Sequence, residues 1–352
     1  MPEARDLNER EQLILQAVVN SYIMSAEPVG SRSVVKRFEL GLSPATVRNV
    51  MADLEEMGYL QQIHTSSGRI PTDTGYRYYV NYLMKVHELT LRERSRIEHE
   101  FSEKLNDADD VLRHTSQLLA VITNQAGLAE VPSDDHAFVK HLEVMPVGHE
   151  RIAILLVDNY SRVRTLTVNV NEGISPDHLQ QLTRFLNDHL YGVRLDGLAR
   201  TIEERLKDFL DEQRRIAELA LRVLGLAPAH RPARLYLEGA SKLFDQPEFQ
   251  DMGKAREVIG LIEEQGVLIE MLHTALTDRD RERLNSSIHI GRIAGSAGLD
   301  DISVIAAPYY CKGEAVGMIG VLGPRRMPYS RLTAIVDYTA GMVGRILTRL
   351  SQ

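Results

Sequence analysis

The chain has 352 residues, 43% of them hydrophobic, a formal net charge of −8 and one cysteine, Cys311. That length and apolar content suffice for two or three domains with real cores and exclude a disordered chain. A single cysteine excludes an internal disulfide framework and fits a reducing cytosol. The N-terminus MPEARDLNERE is charged and lacks an apolar core, and the longest apolar run, Ile152 to Val157, is too short to span a bilayer. The expectation is a soluble cytoplasmic protein whose acidity makes any DNA binding depend on a local patch, repeated in a dimer.

Asn8, with Glu11 three residues on, is a capping box for a first helix through Leu13, Ile14, Ala17 and Val18 to about Tyr22. Ser31 is the expected cap of a short second helix, with Val34, Val35 and Phe38 inward and Arg32, Lys36 and Arg37 outward. Glu39-Leu40-Gly41-Leu42 is the turn. Ser43-Pro44 starts the next helix, because a hydroxyl caps free N–H groups and proline suits the first turn. Val47, Val50, Met51 and Leu54 form its apolar stripe, leaving Thr46, Arg48 and Asn49 largely outside it. Two short helices around a Gly-containing turn are the helix-turn-helix plan, in which the N-terminal residues of the second helix enter the major groove.

Gly58 stops that helix. Tyr59 to Ile63 and Ile70 to Thr72 then form a hairpin around the polar turn His64 to Arg69, a wing. Arg69, beside Gly68 and without an evident acidic neighbour, suits a minor-groove or phosphate contact. The candidate DNA-contacting residues are Arg32, Ser43, Thr46, Arg48, Asn49 and Arg69. An αα-hairpin followed by an ordinary β-hairpin, with no nucleic-acid role, has the same pattern. Residues 1–85 are not basic overall, but residues 29–51 carry Arg32, Lys36, Arg37 and Arg48 against Glu39 alone.

Asp73 or Thr74 opens a helix holding Tyr76, Tyr78, Tyr79 and Tyr82. Packing accounts for this cluster better than base stacking, which also needs a basic groove. Residues 91–127, with Ile97, Phe101, Leu105, Ala108 and Leu112 at helical spacing, read as one connecting helix. RIAILLVDNYSRVRTLTVNV offers two strands around an Asp158-Asn159 turn, and Ser175-Pro176 starts a helix through Leu179, Leu182 and Leu186. A helical region follows, with stripes at Ile202, Leu206, Leu210 and at Ile216, Leu219, Val223. Strands at Ile302 to Tyr310 and Val316 to Leu322 flank Lys312-Gly313-Glu314, and Pro328 precedes a last helix. Strands that resume after a long helical stretch imply an α+β domain with an insertion.

Catalytic chemistry has little support. There is no GxxxxGK[ST] loop, and Gly317, Gly320 and Gly323 fit a hairpin better than a phosphate cradle. The histidines form no HExxH, and His149-Glu150 is a single pair, so neither a metal site nor a catalytic site is expected and no cofactor is called for. Cys311 reads as a small buried residue. The tract Ile293 to Asp301 reads as a loop or, alternatively, as the lining of a small-molecule pocket.

LNEREQLILQAVVNSYI, EPVGSRS, GLSPATVRN, MADLEEMGYL, HTSSGRIPTDTGYRYYV and the late APYYCKGEAVGMIGVLGPRRMPYSRLTAIVDYTA resemble the bacterial HrcA family of heat-inducible transcription repressors. The resemblance implies an α+β multidomain protein with a winged helix-turn-helix over 1–85. It further implies a linker helix and the first part of a GAF-like domain over 86–195, an inserted, mostly helical dimerising domain over 196–276, and the rest of the GAF-like domain over 277–352. It also implies a homodimer on an inverted-repeat DNA operator upstream of chaperone operons. The chaperonin GroEL would keep the repressor competent until heat-damaged proteins draw it away. A regulator whose GAF-like domain senses a metabolite is the alternative.

Overall fold

The computed structural model describes residues 7–63, 68–101, 107–132, 137–147, 151–169, 175–205, 234–274, 285–291 and 301–351. The first helix, α1 (Glu9–Ser25), starts on the expected capping box: Asn8 accepts from Arg10 N and Glu11 N, and the Glu11 carboxylate accepts from Asn8 N at 2.8 Å. Next, α2 (Ser31–Phe38) is capped at Gly30 and not by the Ser31 hydroxyl; Ser31 is already helical, and Ser33 donates back to Gly30 O at 2.6 Å. Glu39 and Gly41, with φ of 44° and 64°, turn the chain into α3 (Pro44–Glu56). Ile14, Leu15, Val18, Val34, Val47, Met51 and Leu54 are buried together. The hairpin of β1 (Leu60–Gln62) and β2 (Arg69–Pro71) follows, pairing Leu60 with Pro71 and Gln62 with Arg69.

Thr72 caps α4 (Asp73–Tyr78), which continues into a π-helical turn over Tyr79–Leu83. Tyr76, Tyr78 and Tyr79 of this segment are buried packing residues, whereas Tyr82 is exposed and lies against Tyr78 at 4.8 Å. Tyr78 meets Tyr59 edge-on at 5.3 Å, and Tyr76 meets Tyr329 of the last helix at 6.0 Å. The single connecting helix expected over 91–127 is instead α5 (Leu91–Glu100) and α6 (Ala108–Thr123), the latter with a cap of its own at Asp107. Asn124, at φ 54°, ends α6, and Ala126–Glu130 is a strand, β3, buried at every residue. Its two alanines, glycine and glutamate have little strand propensity of their own; burial between two neighbouring strands holds it extended.

The strands β4 (Val139–Pro146), β5 (Arg151–Asp158) and β6 (Val163–Asn169) form an antiparallel sheet in the order β4-β5-β6. Ser175 and Pro176 start α7 (Pro176–Leu190) as expected, and Leu179, Leu182 and Leu186 pack on Leu142, Val144, Ile154 and Leu156 in a core of their own. Asn187 of α7 also exchanges hydrogen bonds with Leu142 N and O, at 2.9 and 2.7 Å, closing the free edge of β4. A short α8 (Leu198–Arg205) follows.

The main sheet has the order β7-β3-β10-β9-β8, every pair antiparallel, with β7 (Leu235–Glu238), β8 (Ser287–Ile290), β9 (Ile302–Cys311) and β10 (Glu314–Pro324). Lys312 and Gly313, both at positive φ, make the tight β9–β10 turn. One face is covered by α6 and the last helix, α11 (Tyr329–Leu350). The other is covered by α9 (Met252–Glu263) and α10 (Gln265–Thr274), whose Val258, Leu261, Leu268 and Leu272 pack on Leu128, Val304 and Leu322. Cys311 is buried.

These sheets move the expected domain boundaries. β3 and β7 are adjacent, Gly127 opposite Glu238, so the chain leaves the main sheet after β3 and rejoins it at β7. The described part of that excursion, 137–205, is the insertion, with its own sheet and core. Expected inside the GAF-like domain, β5 and β6 belong to it, whereas β7, α9 and α10, expected within an insert over 196–276, complete the main sheet. The stripe from Leu206 to Val223 lies outside the described residues. The insertion is seated by its β5–β6 turn: Tyr160 is buried in the main core, and the buried Asp158–Arg162 ion pair, at 2.7 Å, lets Arg162 donate to Pro132 O at 3.0 Å.

Candidate nucleic-acid interface

The N-terminus of α3 is built by Ser43 and Pro44. Ser43 Oγ accepts from Thr46 N at 3.1 Å and lies 2.9 Å from Thr46 Oγ1, so the Ser43 hydroxyl is the cap and the Thr46 hydroxyl is hydrogen-bonded to it, on the surface of the protein. Val47, Val50, Met51 and Leu54 face the core, while Arg48 and Asn49 are exposed and make no side-chain hydrogen bond or ion pair among the described residues. Arg32, in the first turn of α2, is likewise exposed and unpaired among the described residues, as are Lys36 and Arg37 in its last turn. Free guanidinium and carboxamide groups beside a helix N-terminus, whose backbone N–H groups carry partial positive charge, present donors to an anionic backbone and bidentate partners to base edges.

Arg69 sits differently from the expectation of a cation without an acidic neighbour. It lies on β2, its Nε donates to Glu55 Oε2 of α3 at 2.8 Å, and its side chain is 16% exposed. Its backbone exchanges two hydrogen bonds with Val29, each 2.9 Å, which adds a third extended segment to the hairpin. Gly68 is needed there for a local reason: a Cβ would stand 2.4 Å from the Val29 carbonyl carbon and oxygen. The close approach that glycine permits is to Val29. Sequence reasoning missed this bridge because a one-residue pairing has no periodicity; Val29, between Pro28 and Gly30, was its only trace. The turn residues His64, Thr65, Ser66 and Ser67 lie outside the described residues.

No group of three or more His, Cys, Asp or Glu able to hold a metal occurs among the described residues, and no described helix is long and apolar enough to cross a membrane. Ile293–Asp300, in the tract considered for a small-molecule pocket, lie outside the described residues. Elsewhere, a groove of about 640 Å³ between the β9–β10 turn and α11 is lined by Tyr310, Lys312, Asp337, Arg345 and Arg349 among others, and opens to solvent.

A sequence profile described as the HrcA protein C terminal domain matches residues 109–333. The heat-inducible transcription repressor HrcA of Pelotomaculum thermopropionicum is 33% identical over 345 residues, covering 98% of each chain. That of Geobacter sulfurreducens is 36% identical over 342 residues, covering 97% of this chain and 98% of its own. A crystal structure of a hypothetical protein aligns with a TM-score of 0.67 at 23% identity, over 98% of this chain and 100% of that one, a likeness of fold. These matches define a class of transcriptional repressors and not of enzymes. The chain belongs to the HrcA family.

Proposed function

We propose that residues 7–83 are a winged helix-turn-helix and that the protein represses heat-shock chaperone operons from the cytoplasm, binding an inverted-repeat operator as a homodimer. The observation that carries this reading is the capped N-terminus of α3, with Arg48 and Asn49 exposed and unpaired among the described residues and Arg32 exposed in the first turn of α2. Arg48 and Asn49 read base edges, Arg32 and the α3 N-terminus hold phosphate, Ser43 and Thr46 set the helix start, and Arg69 braces the wing.

The insertion over 137–205 is the body proposed to join two copies, since a two-fold operator requires a two-fold protein. It has its own core, and its sheet ends on β6, which pairs with β5 on one side, has no strand on its outer edge among the described residues and carries exposed Val163, Thr165 and Thr167. The main sheet is the GAF-like unit, and GroEL maintains the active population by rescuing partly folded chains. The test is a footprint on the promoter of the protein's own chaperonin operon, with and without that chaperonin. Protection of an inverted repeat that strengthens with chaperonin is expected; no protection at micromolar repressor defeats the reading.

A further inference from the structure

Between Pro324, the last residue of β10, and α11 the chain reads Arg325-Arg326-Met327-Pro328, and its two arginines reach two different elements of the N-terminal unit. Arg325 pairs with Asp73, the first residue of α4, and donates its other Nη to Asp301 Oδ1 at 2.9 Å; Lys254 of α9 pairs with the second oxygen of Asp301. Arg326 donates Nη1 to Ile23 O at 3.0 Å while its Nε is held by Glu248 Oε1 at 2.7 Å. Ile23 is in the last turn of α1, a turn with no basic residue of its own, so Arg326 supplies from outside the cation and donor that an exposed helix C-terminus lacks. Both guanidinium groups are anchored on the sheet-domain side before they reach across.

We infer that Arg325 and Arg326 form a clamp that fixes the angle of the DNA-binding unit on the sheet domain, and so sets the separation and facing of the two recognition helices in a dimer. The inference rests on the DNA-binding reading above. Outside the clamp, directional contacts across this interface include Arg77 to Ile290 O at 2.9 Å and, just beyond the unit, Ser330 with His87 N and Lys85 O; each of these ends on a backbone atom and holds no second charged partner among the described residues. The apolar part of the interface, Tyr76 against Tyr329 at 6.0 Å, is non-directional contact that tolerates rolling, whereas charge-assisted bonds from a planar guanidinium hold one geometry. The clamp is stiff at its own end, because the two prolines that bracket the arginines restrict the backbone. It is also fitted closely on the far side: Gly291, at φ 75°, passes Asp73 so closely that a Cβ would stand 2.6 Å from Oδ2, and Arg77 of α4 donates to the neighbouring Ile290 O at 2.9 Å. Two fixed points, at the end of α1 and the start of α4, define an orientation where one would leave a pivot.

The experiment uses the full-length protein and synthetic duplexes carrying the two half-sites of its own footprint, with the spacer unchanged or lengthened by 5 or 10 base pairs, and a single half-site duplex. Adding 5 base pairs turns one half-site to the opposite face of the DNA, and a rigidly oriented dimer then loses its second contact, a loss of about a hundredfold. Arg326→Ala, Arg325→Ala and Asp73→Asn should cut that spacer penalty to about tenfold or less, with single half-site affinity within about twofold of wild type. Arg326→Lys should fall between, since an ammonium cannot hold Glu248 and Ile23 O with the same planar fork. Should Arg325→Ala fail to fold, because it also frees Asp301, Asp73→Asn tests the same contact from the other side. A wild-type protein with no spacer preference would sink the dimeric-operator reading itself. A wild type with the preference and clamp variants that keep its full spacer profile would overturn the clamp alone.

Discussion

Arg69 and Glu55 tie the β1–β2 hairpin to the last turn of α3, with Nε 2.8 Å from Oε2 and the two side chains 16% and 33% exposed. The guanidinium is thereby tied to α3. Arg69→Ala and Glu55→Gln should therefore act alike: each should cost about 1 kcal/mol of stability and weaken operator binding broadly across sequences. Thermal melts and binding isotherms on both variants check this. Binding lost in Arg69→Ala but retained or improved in Glu55→Gln would return Arg69 to the DNA.

Arg48 and Asn49 should separate by what they touch. Arg48→Ala is expected to cost about 1–3 kcal/mol of operator affinity with relaxed preference at one base pair, or, for a phosphate contact, to flatten the salt dependence by about one unit. Isotherms at several salt concentrations distinguish the two outcomes. Unchanged affinity in folded Arg48→Ala removes this residue from the interface.

Ser43 serves as the N-cap of α3. Ser43→Ala should lower stability by about 1 kcal/mol, whereas Ser43→Asp keeps the cap and brings a carboxylate to the phosphate side. The expected signature is an aspartate variant as stable as wild type that binds operator more weakly and recovers least at low salt. Equal binding by wild type and Ser43→Asp would show that no phosphate approaches this helix start.

Asp337 lies on α11 with Oδ1 unpartnered among the described residues, and burial pushes its carboxyl up to about 6. The folded state thus binds the proton more tightly than the unfolded chain, so the stability this group contributes is present at low pH and is lost as pH rises through about 6. At about 1.4 kcal/mol per unit the effect cannot exceed about 3 kcal/mol. Asp337→Asn should be more stable than wild type at pH 8 and nearly equal at pH 4. Denaturant unfolding at the two pH values gives the comparison, and an equal difference at both would mean that the carboxyl is not protonated on folding.

The insertion and the main sheet should respond differently to excision. Leu195 N donates to Ala137 O at 3.0 Å, so the ends of the segment 138–194 already meet and a short Gly-Ser bridge can replace it. The shortened chain is expected to fold as a monomer in sedimentation. Removing 196–276 instead strips β7, α9 and α10 from the sheet and exposes Leu128, Val304 and Leu322, so that product should aggregate. A soluble, cooperative chain without 196–276 would make that segment the insertion instead.

Elements whose determinants lie within a few residues were legible in the amino-acid sequence itself. The Asn8–Glu11 capping box, the Ser43-Pro44 start, the apolar stripe of α3, the Ser175-Pro176 start and the Lys312-Gly313 turn all depend on neighbouring side chains and backbone, and each stands at its expected position. Membership in a repressor family was legible for a related reason, since ordered motifs survive as strings of residues. Partnership was not. Whether β5 joins β3 or a separate sheet, that Ala126–Glu130 is extended, and that Arg69 faces Glu55 while Arg325 and Arg326 face Asp73 and Ile23, are settled by segments 14 to about 300 residues away. Strand pairing and ion pairs across domains leave no periodic trace in either partner, because the energy that selects them arises only when both surfaces are already formed.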